Sequence, residues 1–157
     1  MDWNSPGELM GCDDPVEVDA GFDRGDPLIG VAVIGLALNV LDPSAVAPRL
    51  HRAMRNLDSQ VRYSGALSVG HMARLNGSVD GTSLMLLREL LGDPEVGGTA
   101  EDALEDVWIY VKRSTLPGWL RRRVGLARLR GKLDLYRWLL VEGRRERRNR
   151  SQRSASS

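Results

Sequence analysis

The sequence has one cysteine, two histidines and one phenylalanine among 157 residues. A single cysteine, Cys12, excludes an internal disulfide and cannot build a cysteine-based zinc site. No apolar run reaches the roughly 18 to 20 residues that a membrane-spanning helix needs. The most apolar stretch, residues 28–40, lacks the position and the basic flank of a signal sequence, which indicates a buried helix. These absences predict a cytoplasmic protein.

Lysine is also scarce, since only Lys112 and Lys132 are found among 22 basic residues. The charge is distributed unevenly along the chain. Residues 1–111 carry 7 arginines against 18 acidic residues, a net charge of −11. Residues 112–157 carry 15 basic residues against 3 acidic ones, a net charge of +12. The sequence therefore predicts an acidic body followed by a basic tail.

Patterning divides the chain into three segments. Residues 1–25 mix glycine, proline and acids without periodicity, which predicts an acidic, poorly ordered head that could include a short helix. Residues 26–112 show a 3.6-residue apolar period without period-2 alternation, which predicts an all-α body. Residues 113–157 form the basic tail, for which we expect an amphipathic helix followed by disorder.

Three Asp-Pro pairs occur in the body, at Asp26-Pro27, Asp42-Pro43 and Asp93-Pro94. Aspartate can cap the free N–H groups of a helix, and proline suits the first helical position, where no donor is needed. Each pair therefore predicts the start of a helix.

The body contains an internal repeat with an offset of 35 residues. Each copy has an aspartate, then a valine, then small residues on one helical stripe and larger apolar residues. Small residues allow a close approach between helices, and the larger ones fill the space beyond them. Both copies thus read as the inner helix of a repeated helix pair. The aligned pairs are Asp58 with Asp93, Val61 with Val96, Gly65 with Ala100, Ser68 with Ala103, Val69 with Leu104 and Met72 with Val107.

An outer helix precedes each inner one, at residues 43–56 and 81–92. Neither helix of a pair could bury its apolar face alone, whereas stacked pairs share a continuous core. The repeat therefore predicts a small α-solenoid of two to three helix pairs. Residues 28–39 would form an earlier helix that caps it.

One inner segment carries a more specific order of residues: Asp58, then Val61-Arg62, then Gly65, then Val69-Gly70. This order resembles the turn and inner helix of HEAT repeats, and the resemblance extends over residues 26 to about 112. Gly97 stands where that pattern has arginine, which argues against a continuous Asp–Arg ladder between repeats. More narrowly, these segments are similar to short HEAT-repeat proteins of high-GC actinobacteria, some of which resemble immunity proteins against polymorphic toxins. The resemblance implies a short HEAT-like α-solenoid that binds another protein.

Four carboxylates of the second inner helix stand at i, i+1, i+4 and i+5, on one helical face. Arg62 or Arg74 of the preceding inner helix would form ion pairs with these carboxylates. An ion-pair network between repeats, a contact with a partner protein, and a metal or catalytic site all remain open. His71 lies at the edge of the buried stripe, as a structural hydrogen-bonding residue or a partner contact. The residues predicted to bind a partner are Arg62, His71, Arg74, Glu101, Asp102, Glu105 and Asp106.

No catalytic constellation emerges from the sequence. His51 has no acid within one helical turn, which indicates a surface histidine. No serine stands in a Gly-x-Ser-x-Gly elbow, and the glycine-rich VGGTAEDA lacks the lysine of a phosphate loop. We therefore expect no enzymatic activity, no metal, no cofactor and no small-molecule substrate.

The tail begins after a break at STLPGW and interleaves leucine with arginine. It could form a terminal helix that covers the solenoid, bind nucleic acid or an anionic membrane, or have no selected role. Its last part, residues 144–157, is predicted to be disordered. The basic residues that would contact nucleic acid are Arg121, Arg122, Arg123, Arg128, Arg130, Lys132 and Arg137.

Two functional hypotheses follow. The first is a non-enzymatic, immunity- or antitoxin-like module that binds a basic partner protein through an acidic face of its inner helices. The alternative is a protein associated with nucleic acid, or with an anionic membrane, through the arginine-rich tail.

Overall fold

A computed structural model of the protein describes residues 1–125, and every regular element in that range is helical. The predicted all-α class is confirmed. The described helices are α1 (Pro6–Leu9), α2 (Pro15–Arg24), α3 (Ile29–Asn39), α4 (Pro43–Met54), α5 (Ser59–Asn76), α6 (Gly81–Leu90), α7 (Gly97–Tyr110) and a 3₁₀ turn at Arg113–Thr115. No helix among the described residues is long and apolar enough to cross a membrane.

The chain divides into two compact units, and residues 1–115 form the first. Of the second unit the structure describes residues 116–125, in which residues 118–125 are helical and Arg121, Arg122 and Arg123 are exposed. Four of the predicted nucleic-acid contacts, Arg128, Arg130, Lys132 and Arg137, lie outside the described residues. So does the segment predicted to be disordered, residues 144–157.

Aspartate caps start most of the helices. Asp42 caps α4 with Pro43 in the first turn, as the Asp-Pro pair predicts. Asp58 and Asp80 cap α5 and α6 by accepting hydrogen bonds from main-chain N–H groups of the first turn.

The other two Asp-Pro pairs form a turn before the helix instead of starting it. Asp26 accepts a hydrogen bond from the Leu28 amide at 3.0 Å, and α3 begins only at Ile29. Asp93 accepts from the Glu95 and Val96 amides at 2.9 and 3.2 Å, and α7 begins at Gly97. The Asp side chain closes a local turn in each case, so the prediction of a helix start is wrong by a few residues.

The helices of the first unit form two rows of neighbours. Helix α5 packs against α3 on one side and α7 on the other, while α4 packs against α2 and α6. Within each consecutive pair, α2 contacts α3, α4 contacts α5 and α6 contacts α7. The apolar and small positions that the 35-residue offset aligns are buried in both copies, from Val61 and Val96 to Met72 and Val107. The repeat in the sequence is therefore a repeat of core positions.

Small residues set the distances at which α5 meets its neighbours. A Cβ atom on Gly30 of α3 would lie 2.6 Å from the Ser64 hydroxyl of α5. One on Gly65 would lie 2.9 Å from the Met54 amide nitrogen at the end of α4, and one on Gly70 would lie 3.5 Å from Ala103 Cα of α7. The Gly30 and Gly65 distances are too short for a larger side chain without a shift of the neighbour, and at Gly70 the helices are already in van der Waals contact. This close packing explains why the inner helices carry stripes of small residues.

The head at residues 1–25, for which the sequence predicts poor order with room for a short helix, contains two helices in the structure. These residues form α1 and α2, and Leu9, Cys12 and Val18 are fully buried. The segment after α1 is held against α3, since Asn39 Nδ2 donates to the Met10 carbonyl oxygen at 2.9 Å. Helix α1 is a single turn, and α2 has few large apolar residues, Val16, Val18 and Phe22, so their order depends on tertiary contact and no period is visible in the sequence.

Gly35 tests this packing of the head. A Cβ atom at Gly35 of α3 would lie 2.2 Å from the Leu9 carbonyl oxygen, which is main chain and cannot rotate away. We expect Gly35→Ala to lower the free energy of unfolding by about 1–3 kcal/mol, the usual cost of overpacking. Urea titration measures this change.

Gly98→Ala is the matched control, because nothing lies within 4 Å of a Cβ atom there. It should be neutral or slightly stabilising, since alanine favours helix more than glycine does. If the head did not pack on α3, Gly35→Ala would behave like the control, and this result would contradict the structure.

Candidate functional site

The exposed side of α5 is a single stripe of side chains. Gln60, Tyr63, Leu67, His71 and Arg74 recur at intervals of three and four residues, and each is exposed or half-buried. On one edge the stripe borders Ser64, which touches α3, and on the other it borders Gly70, which touches α7. Three sides of α5 are covered by other helices, so this stripe is its one open side.

Helix α3 continues this surface with apolar side chains. Val31 and Ile34 are half-buried and Leu38 is 37% exposed, and the three share one side of α3 by their helical spacing. That side lies between Gly30, which meets α5, and Gly35, which meets the segment after α1. The open surface of α3 therefore carries no charge.

Helix α7 continues the surface on the other side with carboxylates. Asp102 and Asp106 lie along a groove that they form with Tyr63, Leu67 and Arg74 of α5. Glu101 and Glu105 are exposed but do not line the groove, because each stands one residue, or about 100°, further around the helix. We call the open sides of α3, α5 and α7 together the inner-helix face. It is apolar at α3, mixed at α5 and acidic at α7.

The predicted ion pair between inner helices is present, with one residue on each side. Arg74 donates to Asp106 through Nη2 at 2.7 Å and Nε at 3.1 Å. Asp106 lies directly over Gly70, whose missing side chain gives room to the carboxylate. Asp106 is thus one of the four predicted acids, and it forms an ion pair with an arginine of α5.

Arg62 does not meet any of the four predicted acids. Its Nε donates to Asp93 at 3.0 Å, and its Nη2 lies 3.6 Å from Glu95. Its Nη1 donates to the carbonyl oxygens of Asn56 and Leu57 at 3.1 and 2.7 Å. Arg62 therefore joins the loop before α5 to the loop before α7, and its role is structural.

Asp93 is fixed in its ionised form by several donors. The Glu95 amide contributes most to a lowered pKa of Asp93, desolvation partly opposes it, and the Val96 amide and Arg62 guanidinium lower it further. This Arg62–Asp93 contact is a rung between successive inner helices. Helix α3 has no arginine that could make the preceding rung, so the ladder is not continuous, in agreement with the sequence.

His71 is half-buried on the open side of α5. Burial lowers the pKa of His71 below its usual value, and the neighbouring Arg74 lowers it further, while Asp106 partly opposes both. Among residues 1–125 no hydrogen bond to the imidazole is found, so the structure gives no support to a structural hydrogen bond there. The neutral ring is available at the edge of the inner-helix face.

Sequence reasoning missed the role of His51. It is not a free surface histidine, because its Nε2 lies 3.1 Å from Asp80 and 3.0 Å from the Ser83 hydroxyl, both at the start of α6. Asp80 caps α6 and also accepts a hydrogen bond from Ser83. Although burial of Asp80 is the largest effect and opposes it, Ser83 and His51 together lower the pKa of that carboxyl.

These three residues are not a catalytic triad. Ser83 is fully buried, its hydroxyl donates to Asp80, and the same imidazole nitrogen faces both neighbours. A nucleophilic serine needs access to substrate and a base whose second nitrogen is held by the acid. The cluster therefore ties α4 to the cap of α6. In the sequence, the spacing of Asp80 and Ser83, which is typical of a helix N-cap, was the one indication of this cluster.

Residues 1–125 contain no group of three or more histidine, cysteine, aspartate or glutamate side chains placed to hold a metal ion. Comparisons with protein-family models, with curated proteins and with solved structures found no match to the chain.

The two arginines of α5 should differ in their importance for folding. The Arg62 side chain is 18% exposed and makes four polar contacts, whereas Arg74 is 43% exposed and contacts one carboxylate. We expect Arg74→Met to lower the free energy of unfolding by less than about 1 kcal/mol. Arg62→Met should lower it by more, because it also leaves two carbonyl groups without their donor. Equal losses in urea titrations would contradict the structural role of Arg62.

His71 should make the protein less stable at acidic pH. Because the pKa of His71 is lower in the folded chain, the unfolded chain takes up this proton first as the pH falls through about 6.5. The free energy of unfolding should therefore fall between about pH 7.5 and about pH 5.5. We expect a smaller fall in His71→Gln.

A His51→Gln background makes this measurement specific, since the chain has two histidines. In that background His71→Gln should leave stability nearly constant across the window, because the usual carboxyl pKa lies well below it. An unchanged fall would show that His71 is not the titrating group.

Proposed function

We propose that the chain is a short HEAT-like α-solenoid of three helix pairs that acts as a non-enzymatic protein-binding module in the cytoplasm. The order of neighbours supports the solenoid, because α2 with α3, α4 with α5 and α6 with α7 pair in sequence and each row contacts the next. The 35-residue offset between buried positions supports it as well.

The observation that carries the binding role is the composition of the inner-helix face. Leu38 of α3 is 37% exposed. Tyr63 of α5 is 41% exposed and, with the half-buried Leu67, lines a groove bordered by Asp102 and Asp106 of α7. Protein–protein interfaces combine exposed apolar side chains with polar and charged ones at their rim. A partner that fits would present apolar side chains together with arginine or lysine.

We further propose an immunity- or antitoxin-like mode of action. The chain would cover a functional surface of a basic partner and block it by occlusion. The net charge of −11 over residues 1–111 supports fast association with such a partner, because charge complementarity raises the rate of encounter. No reaction is required of the bound protein.

The proposal assigns partner contacts to only some of the predicted partner-binding residues. Arg62 is engaged by the loops before α5 and α7, and Asp106 is held by Arg74. Within the proposal, Asp102 and Glu105 provide the carboxylates that meet the partner. His71 and Arg74 lie at the edge of the contact, and Glu101 lies at its far side.

Charge reversal tests this proposal. Asp102→Lys and Glu105→Lys, made separately in a tagged full-length chain, should each weaken capture of a basic protein from nuclease-treated host lysate several-fold. Glu89→Lys is the control, because Glu89 is an exposed acid on α6, outside the inner-helix face. The captured protein should also elute as the salt concentration rises. Equal capture by all three variants and the unchanged chain would contradict the proposal.

The alternative function, binding of nucleic acid through the tail, has one observation in its favour. Arg121, Arg122 and Arg123 are exposed side chains on the helical residues 118–125. The same capture experiment separates the two functions. A protein held through nucleic acid is lost after nuclease treatment and is unaffected by Asp102→Lys, whereas a direct partner shows the opposite pattern.

A further inference from the structure

The groove between α5 and α7 has the size of a single side chain. It encloses about 160 Å³, well below the roughly 300–1,000 Å³ of pockets that bind drug-sized ligands. Its walls are Tyr63, Leu67 and Arg74 on one side and Thr99, Ala103 and Asp102 with Asp106 on the other. The groove is therefore too small for a cofactor and suits one extended side chain of a partner.

The charges in the groove do not cancel. Arg74 and Asp106 neutralise each other at 2.7 Å. Asp102, one helical turn before Asp106, is exposed, and no ion pair to it is found among residues 1–125. The groove therefore keeps one negative charge, which disfavours an anionic ligand and favours a cationic one.

The apolar and aromatic side chains of the groove favour a cationic ligand that has an aliphatic stem. Leu67 and Ala103 offer surface to an aliphatic stem, as the stems of lysine and arginine need when they lie along protein. Tyr63 is 41% exposed on the wall of the groove, and an aromatic ring can attract a cation placed over it. A planar guanidinium can stack on this ring and pair with a carboxylate in two parallel hydrogen bonds, which an ammonium cannot do.

We propose that this groove is a binding site for one arginine side chain of the partner protein, with the guanidinium paired to Asp102 and stacked on Tyr63. This inference rests on the proposed function and deepens it, because it names the chemical group by which the partner is recognised. The Arg74–Asp106 pair is a positioning contact: it holds Arg74 away from Asp102 and leaves that carboxylate to the partner.

The site can be tested without the partner. N-acetyl-arginine amide, titrated to tens of millimolar into the full-length chain, should shift the NMR signals of the Tyr63 ring and the Asp102 amide in a saturable manner. N-acetyl-citrulline amide, which has the same shape without the charge, should produce no such shift. N-acetyl-lysine amide should bind more weakly.

Two variants of α7 provide a matched pair, since both remove one negative charge from an exposed acid. Asp102→Asn should weaken binding of the arginine amide by roughly three- to fivefold, as expected for the loss of one exposed ion pair. Glu105→Gln should leave it nearly unchanged, because Glu105 does not line the groove. Tyr63→Leu should also weaken it, with arginine losing more than lysine.

Several results would overturn the inference. They are the absence of saturable shifts at Tyr63, equal binding of the citrulline amide, and equal effects of Asp102→Asn and Glu105→Gln. These outcomes are distinct from a failure of the proposed function. If partner capture depends on Asp102 and Glu105 alike while the arginine amide does not bind, the acidic surface stands and the arginine site is wrong.

Discussion

The close approach of α5 to three neighbouring helices determines which of its side chains are buried and which stay exposed. Gly30 lets α3 reach Ser64, Gly65 lets α5 reach the end of α4, and Gly70 lets α7 approach and leaves room for the Asp106 carboxylate. Because bulk on these three sides is excluded, the variable side chains of α5 are confined to its fourth side. The inner-helix face is thus a consequence of packing: the stripe from Gln60 to Arg74 is what remains open after the core is formed.

Acidic residues serve two different purposes in this chain. Asp14, Asp42, Asp58 and Asp80 accept hydrogen bonds from helix N-termini, where a negative charge is favourable. Asp19, Asp23, Asp93 and Asp106 hold arginines of neighbouring elements. Asp102 does neither within the described part of the chain. A net charge alone would therefore overstate how much acidic surface a partner can meet, and the position of Asp102 beside Tyr63 is more informative than the total.

The sequence predicted the elements with several turns of regular pattern. The apolar period and the 35-residue offset located α4, α5, α6 and α7, and the expectation of an inter-helix ion pair held for Arg74 with Asp106. Helices α1 and α2 were not located because α1 is a single turn and α2 has few large apolar residues. Their order depends on contacts, such as Leu9 against Gly35, that no local pattern shows. The contacts of Arg62 with Asp93 and of His51 with Asp80 join residues about 30 positions apart. These contacts could not be predicted, because the 35-residue offset shows which positions correspond but not which loop or helix a side chain faces.

We propose that the open sides of α3, α5 and α7 form the surface that binds a partner protein. Hydrogen–deuterium exchange of the full-length chain, alone and with the purified partner, tests it most directly, because it reports protection along the whole chain without a substitution. We expect slower amide exchange in α5 around Tyr63 and Leu67 and in α7 around Asp102 when the partner is bound. The exchange of α2, α4 and α6 should be unchanged. Protection confined to α2, α4 and α6, with none on α5 or α7, would contradict it.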